Sequence, residues 1–253
     1  MKIISWNVNG LRAIVNKGFL DYLKKEQPDI LCLQETKLQE DQIPEELQHF
    51  NEYHAYWNFA ERKGYSGTVI FTKTEPIEVA NGLGIPEFDT EGRTIIATFP
   101  TFVLINCYFP NGQMSEERLQ HKLKFYDAML SKMQEIRKSG KHIILCGDVN
   151  TAHHPIDLAN PKANETTSGF LPIEREWLDK LLASGYVDTF RHFNQEPEQY
   201  TWWTYRFGAR KRNVGWRIDY FFVNQEFIDA IQKSYIRAEI LGSDHCPIGI
   251  DLE

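Results

Sequence analysis

Asp29-Ile-Leu-Cys-Leu-Gln-Glu-Thr-Lys37 and His142-Ile-Ile-Leu-Cys-Gly-Asp-Val-Asn150 are the two stretches that decide the fold. In each, a short and nearly pure apolar run stops abruptly at a polar cluster. Such a run reads as a strand buried on both faces, with its C-terminal end reaching a site. Each strand therefore delivers a carboxylate, Glu35 or Asp148, to what reads as the same rim. A third polar string, Gly242-Ser-Asp-His-Cys-Pro247, precedes the last apolar segment. Acids and a histidine gathered at strand ends are what metal-assisted hydrolysis requires.

Outward from these runs, the pattern predicts strands over 2–6, 30–33, 68–71, 94–99, 103–109, 142–146, 218–223 and 248–252. Helical periodicity falls between some of them. One helix covers 19–25 and ends before Pro28. A second is capped by Ser115, carries apolar residues at Leu119, Leu123, Tyr126, Leu130 and Met133, and stops near Gly140. A third spans 172–183, with Trp177, Leu178, Leu181 and Leu182 on its apolar side and Gly185 as a stop. The runs 94–99 and 103–109 are close enough to form a hairpin, so the sheets are mixed and not all parallel. Mixed sheets covered by helices place the chain in the α/β class. Ile30-Leu-Cys-Leu33 and Ile144-Leu-Cys-Gly147 echo one another, each followed by an acid.

Composition bounds the rest. The 253 residues show no Pro/Gly/Ser linker or low-complexity tract, and 42% are hydrophobic, which fits one large domain over 1–253. No apolar run approaches the ~20 residues of a membrane span. The chain reads as a soluble, cytoplasmic monomer with no membrane partner. Its four cysteines, Cys32, Cys107, Cys146 and Cys246, lack metal-site spacing, and three lie inside apolar runs, so they read as reduced and buried. The net charge of −7 argues against a general polyanion binder. Yet the segment 200–220 gathers Arg206, Arg210, Lys211, Arg212 and Arg217 against a single acid, Asp219. A local basic face on an acidic protein points to one defined polyanion groove.

Three constellations carry chemistry. Glu35, Asp148, Asp244 and the amides of Asn7 and Asn150 form an oxygen-rich set of the kind Mg²⁺ takes, with Mn²⁺ as the alternative ion. Any one of these acids alone would read as a solvated loop residue; together they do not. His245 follows Asp244, and Asp219 is placed to orient its ring, which suits it to meet charge on a phosphate or to move a proton. In the segment 200–220, Trp202 and Trp216 flank a basic turn, as needed for phosphate contacts beside an apolar slot. His153-His154 is tempting as a metal pair, but adjacent side chains point apart, so it reads as an exposed loop.

Taken in order, Trp6-Asn-Val-Asn-Gly-Leu-Arg12, Leu33-Gln-Glu-Thr-Lys37, Lys63-Gly-Tyr-Ser-Gly67, Tyr108-Phe-Pro-Asn111 and Gly147-Asp-Val-Asn-Thr-Ala-His153 resemble the exodeoxyribonuclease III family. Asn160-Pro-Lys162, Asn213-Val-Gly-Trp-Arg-Ile-Asp-Tyr220 and Gly242-Ser-Asp-His-Cys-Pro247 continue the match to the last strand. That family comprises class II abasic-site endonucleases of the endonuclease/exonuclease/phosphatase superfamily. The resemblance implies a four-layer α/β sandwich with two packed mixed sheets flanked by helices. It implies a divalent-metal-dependent DNA-repair phosphodiesterase that cuts 5′ to abasic sites and has 3′-5′ exonuclease or 3′-end-cleaning activity. Its substrate would be double-stranded DNA with abasic sites or blocked 3′ ends, with cleavage at some damaged bases an extension of that range.

By position, Glu35 resembles the main metal ligand, with Asn7 and Asp244 near the ion. Asp148 matches the residue that activates water and Asn150 the one that orients it. Tyr108 and His245 match contacts to the scissile phosphate, and Asp219 the partner of that histidine. Trp202, Trp216 and Ile218 match the slot for a flipped abasic sugar. Arg206 and Met114 fall where relatives insert side chains into the duplex. Asn164 matches a pocket contact, whereas Thr167 stands where a second asparagine is often found, and Ser168 beside it adds a second hydroxyl. Arg210 and Lys211 complete the expected DNA-binding face. Two other readings compete: a lipid or inositol phosphatase of the same fold, and a silent nucleic-acid-binding relative. The segment 200–220 speaks against the first, and the intact acids and histidine against the second.

Overall fold

Runs that are apolar on both faces need cover on both faces, and two stacked sheets between outer layers of helices supply it. The computed structural model describes residues 1–48, 50 and 52–253. In chain order the strands are β1 (Lys2–Asn7), β2 (Ile30–Gln34), β3 (His54–Asn58), β4 (Thr68–Thr72), β5 (Glu78–Asn81) and β6 (Thr94–Thr98). They continue with β7 (Phe102–Tyr108), β8 (His142–Asp148), β9 (Tyr186–Asp188), β10 (Asp219–Asn224), β11 (Ile231–Ile236) and β12 (Ile248–Leu252). One six-stranded sheet has the order β11-β12-β1-β2-β4-β3, the other β5-β6-β7-β8-β10-β9.

Each sheet holds one parallel pair, β1–β2 or β7–β8, and every other pairing is antiparallel. A parallel pair needs a crossover. Helix α1 (Phe19–Glu26) lies in the first and α2 (Glu116–Lys138) in the second. The echo between the runs at 30 and 144 thus marks equivalent places, since β2 and β8 are each the second strand of a parallel pair. The expected hairpin is present as β6–β7.

Alternation along the strands sorts side chains into three cores. Ile3, Ile30, Cys32, Leu104, Ile144 and Cys146 pack between the sheets. Ile4, Trp6, Leu31 and Leu33 face outward onto Phe19 and Leu23 of α1. Ile105, Cys107, Ile143 and Leu145 face the other way, onto α2 and α3 (Pro172–Ala183). All four cysteines are free and buried, as expected. Among the described residues, no helix is long and apolar enough to cross a membrane.

The long helix α2 departs from the sequence reading in one way. Ser115 caps it, its hydroxyl accepting from the Arg118 N–H at 3.2 Å. The buried face, however, is Lys122, Phe125, Tyr126, Met129, Leu130 and Met133, while Leu119 and Leu123 are only half-buried. A charged side chain, Lys122, is drawn inside because Glu174 of α3 meets it there at 2.6 Å.

Candidate active site

Strand register brings the predicted acids into one row. Tyr108 of β7 lies opposite Asp148 of β8, and Asp148 lies opposite Asp219 of β10. In the facing sheet, Asn7 ends β1 beside Gln34 of β2, and Glu35 follows with φ 54°. The left-handed backbone at Glu35 turns the chain out of the strand, so its carboxylate enters the cleft between the sheets. Gly147 is required for the close approach on the other side: it has φ 131°, and a Cβ there would lie 1.9 Å from the Cys107 carbonyl oxygen.

The polar groups then interlock. The Asn7 amide donates to Glu35 Oε1 at 2.8 Å and to Asp148 Oδ2 at 2.9 Å, joining the two sheets. The backbone N–H of Asn150 donates to Asp148 Oδ1 at 2.8 Å, and its side-chain amide to the Phe109 carbonyl at 2.9 Å. His245 Nδ1 sits 2.9 Å from Asp219 Oδ2, and its Nε2 lies 3.8 Å from Asp148 Oδ2. Thr201 steadies the same Asp219 oxygen with a 2.6 Å bond.

Electrostatics follow from burial. Desolvation, then the charges of Asp219 and Glu35, push the Asp148 carboxyl well above its usual range, against the pull of His245. Burial alone would depress His245, but Asp219 and Asp148 outweigh it and hold the imidazole protonated beyond neutrality. Burial works against ionisation of Glu35 too, and the Lys37 ammonium at 2.7 Å overcomes it, so Glu35 titrates low. Burial and the Glu35 charge raise the Tyr108 phenol. The cluster is thus rich in carboxylate and short of positive charge.

That imbalance is the test of fit for a metal. Glu35, Asp148 and His245 each bring one ligand atom within 4.8 Å of the others. Carboxylate oxygens predominate, which suits a hard divalent cation, and a cation there would offset both the burial of the Asp148 charge and its repulsion from Asp219 and Glu35.

A cleft of about 560 Å³ opens beside the cluster. Its far wall is apolar: Trp202 and Trp216 meet edge to face with centroids 6.4 Å apart, and Ile218 and Phe170 pack behind them. Backbone bonds fix this wall, with Trp202 and Trp216 exchanging N–H···O contacts of 2.9 Å. Trp203 N–H reaches the Asp244 carbonyl at 3.0 Å, so the aromatic segment is stitched to the His245 loop. Asn164, Thr167 and Ser168 form another side of the cleft.

Most predicted residues therefore converge, and several are corrected. The Asn7 amide nitrogen faces the acids while its oxygen accepts from Asn9 N–H at 3.0 Å, so here Asn7 bridges the two carboxylates as a donor. Asp244 lines the cleft, but its oxygens already accept from Asn9 at 2.9 Å and the Trp202 indole at 3.2 Å, leaving it at the edge of the cluster. Arg210 stacks on Trp203 and donates to the carbonyls of Ser243, Ala238 and Ile240, so its fork is committed to packing and not to phosphate. Arg217 is fully buried between Asp157 and Asp188, at 2.8 and 2.6 Å. The basic face thus reduces to the exposed Arg206, Lys211 and Arg212, outside the cleft. Met114 is 88% exposed. His153 and His154 do not point apart: their rings stack at 3.6 Å, and His153 is buried against Asp179 at 2.7 Å.

Other site residues escaped the sequence reading. Lys37 pairs with Glu35, Asn9 with Asp244, and Asn111 donates to the Asn150 amide oxygen at 3.1 Å. The only signal for Lys37 and Asn9 was their place two residues beyond Glu35 and Asn7 in the same polar strings.

With this geometry in view, comparison with known proteins is direct. The profile of the Endonuclease/Exonuclease/phosphatase family matches residues 4–245. An exodeoxyribonuclease of Bacillus subtilis (strain 168) is 49% identical over 250 residues, 98% of either chain. The DNA repair nuclease APEX1 of Danio rerio is 46% identical over 255 residues, 100% of this chain and 82% of that one. The structure of an AP endonuclease from Archaeoglobus fulgidus superposes with a TM-score of 0.90 at 30% identity, covering 100% of this chain and 99% of that one. Motif order, two-sheet topology and clustered acids agree with these matches, and the chain belongs to the endonuclease/exonuclease/phosphatase family, in its exodeoxyribonuclease III and AP endonuclease branch.

Proposed function

We propose that this protein is a Mg²⁺-dependent DNA-repair hydrolase that cleaves duplex DNA 5′ to abasic sites and trims or unblocks 3′ ends, acting as a monomer. Relatives named as exodeoxyribonuclease, DNA repair nuclease and AP endonuclease support the reaction class. The observation that carries the finer reading is a carboxylate–imidazole cluster sharing one cleft with a narrow aromatic wall.

In this reading Glu35, with Asp148 beside it, holds the divalent ion. When bound, that ion neutralises phosphate charge and lowers the proton affinity of water. Asp148 is the acceptor for the proton of the attacking water, with the Asn150 N–H on Oδ1 and the Asn7 amide on Oδ2 fixing the direction of its carboxylate. His245, kept protonated and aligned by Asp219, faces the scissile phosphate with Tyr108 and donates to its oxygens as charge builds there. Trp202, Trp216 and Ile218 receive the baseless sugar. A normal nucleotide must be unstacked at a cost of a few kcal/mol before it can enter, and its base then meets the indoles. Selectivity thus needs no base to be read.

Chelation tests the metal step. Exhaustive treatment with a chelator should abolish cleavage of an abasic-analogue duplex, and added Mg²⁺ should restore it. Full activity in chelated buffer would sink the reading.

A further inference from the structure

We propose that the buried Lys122–Glu174 ion pair is a positioning device for selectivity: it fixes the Ser168–Gly169 wall of the cleft against the strand end that carries Asp148 and Asn150. The inference rests on the nuclease reading above. Both side chains are 0% exposed. Lys122 Nζ spends its three donors on Glu174 Oε1 at 2.6 Å, the Asn150 carbonyl at 2.8 Å and Thr151 Oγ1 at 2.8 Å. Glu174 in turn accepts from Ser168 Oγ at 2.9 Å, Gly169 N–H at 2.6 Å and Leu171 N–H at 3.1 Å. One ion pair therefore grips the loop after β8 with one hand and the cleft wall with the other.

The two gripped loops touch each other and the slot. Ala152 N–H donates to the Gly169 carbonyl at 2.8 Å. Gly169 lies so close to Trp216 that a Cβ there would be 3.2 Å from the indole and 3.3 Å from the Asn150 carbonyl oxygen. Asn150 stands at φ 56°, and its N–H holds Asp148. The Asn150 carbonyl that Lys122 holds and the N–H that holds Asp148 lie in successive peptides joined at the Asn150 Cα, so displacing the first moves the proposed base through that one hinge, while a shift of Gly169 moves the face of the sugar slot. Simple packing of α2 on α3 does not call for charges. Apolar side chains of similar volume would fill the gap without desolvating two ions. What the ions add is a set of directed bonds, and those bonds end on loop groups at the site.

Lys122→Met/Glu174→Gln keeps the volume and an acceptor for Gly169 while removing both charges and the bonds to Asn150 and Thr151. The measurement is kcat and KM on an abasic-analogue duplex and on an undamaged duplex, together with Tm. A misplacement near 1 Å costs up to about 100-fold, so the ratio of kcat/KM for abasic over undamaged DNA should fall roughly tenfold or more, mainly through kcat on the abasic substrate. A pair that only stabilised the fold would lower Tm and scale both rates equally, leaving that ratio alone. Ser168→Ala, which removes a single wall bond, should shift the ratio in the same direction by a smaller factor, and it decides the matter if the double variant does not fold. A ratio within about twofold of wild type in the folded variants would overturn the proposal. Wild-type protein that shows no preference for abasic DNA would sink the abasic-site reading and this inference together; a wild-type preference that persists in the variants would sink the inference alone.

Discussion

Asp148 is held by a conflict. Burial and two neighbouring acids favour its proton, whereas the proposed role needs a carboxylate. Asp148→Asn keeps the shape and the Asn150 contact but removes the proton acceptor, so kcat should drop between about 100- and 10,000-fold. Binding to abasic duplex should persist, because one negative charge facing the phosphate is lost; a kcat near wild type would remove Asp148 from the chemistry. Asp157 is the opposite case. Burial opposes its charge, but Arg217 and Arg191 at 2.8 and 2.7 Å overcome that and hold its pKa far below the usual carboxylate range. In the unfolded chain it returns to about 3.9. The unfolded state therefore binds the extra proton first, and the stability from Asp157 is full above that pH and lost as pH falls toward the folded value. Urea titrations at stepwise lower pH should show this acid loss, and Asp157→Asn should flatten it while costing about 3 kcal/mol at neutral pH. An unchanged acid slope would contradict the assignment. Residues such as Glu35 and Asp148 were legible because each abuts an apolar run that fixes where it must lie. Lys37, Asn9 and Asn111 were not, since a polar loop residue carries no periodicity and gains its role only when a distant segment arrives.

Among elements, the eight predicted strands are all found, each with its bounds within a residue or two, and the four that were missed share a cause. β3, β5, β9 and β11 are the outer strands of the two sheets. An outer strand has cover on fewer sides, so its sequence need not be apolar: β5 is Glu78-Val-Ala-Asn81 and β11 exposes Gln232 and Lys233. The same logic explains why the basic segment misled. Its charges were counted without knowing that Arg217 points inward to two acids and that Arg210 caps three carbonyls. The parallel pair β7–β8 offers a sharp test of element geometry. Gly147 combines φ 131° with contact to the Cys107 carbonyl, so Gly147→Ala must push the two strands apart. A loss of about 3 kcal/mol or more is expected, in the range of severe backbone and packing defects. A Tm equal to wild type would show that the strand spacing is not set there.

At the scale of the molecule, the site lies where the ends of two sheets meet, and this is why segments from the first strand to the last all contribute to it. Tyr108, Asp148 and Asp219 come from one sheet, Asn7 and Glu35 from the other, and the aromatic wall and His245 from loops that close the seam. The four-layer arrangement followed from the family resemblance, whereas the sequence pattern alone reached only mixed sheets under helices; layer order depends on which face of each strand meets which partner. The acid cluster and the aromatic wall adjoin in one cleft, and the central proposal built on them is that a baseless nucleotide, and not a base sequence, is what the protein accepts. The most direct measurement is the cleavage rate, in Mg²⁺ buffer, of otherwise identical labelled duplexes with an abasic analogue or an intact nucleotide at one position, repeated in several flanking sequences. The account predicts incision immediately 5′ to the abasic position, far faster than at the intact one and little altered by flanking sequence. Equal rates on the two duplexes would contradict it.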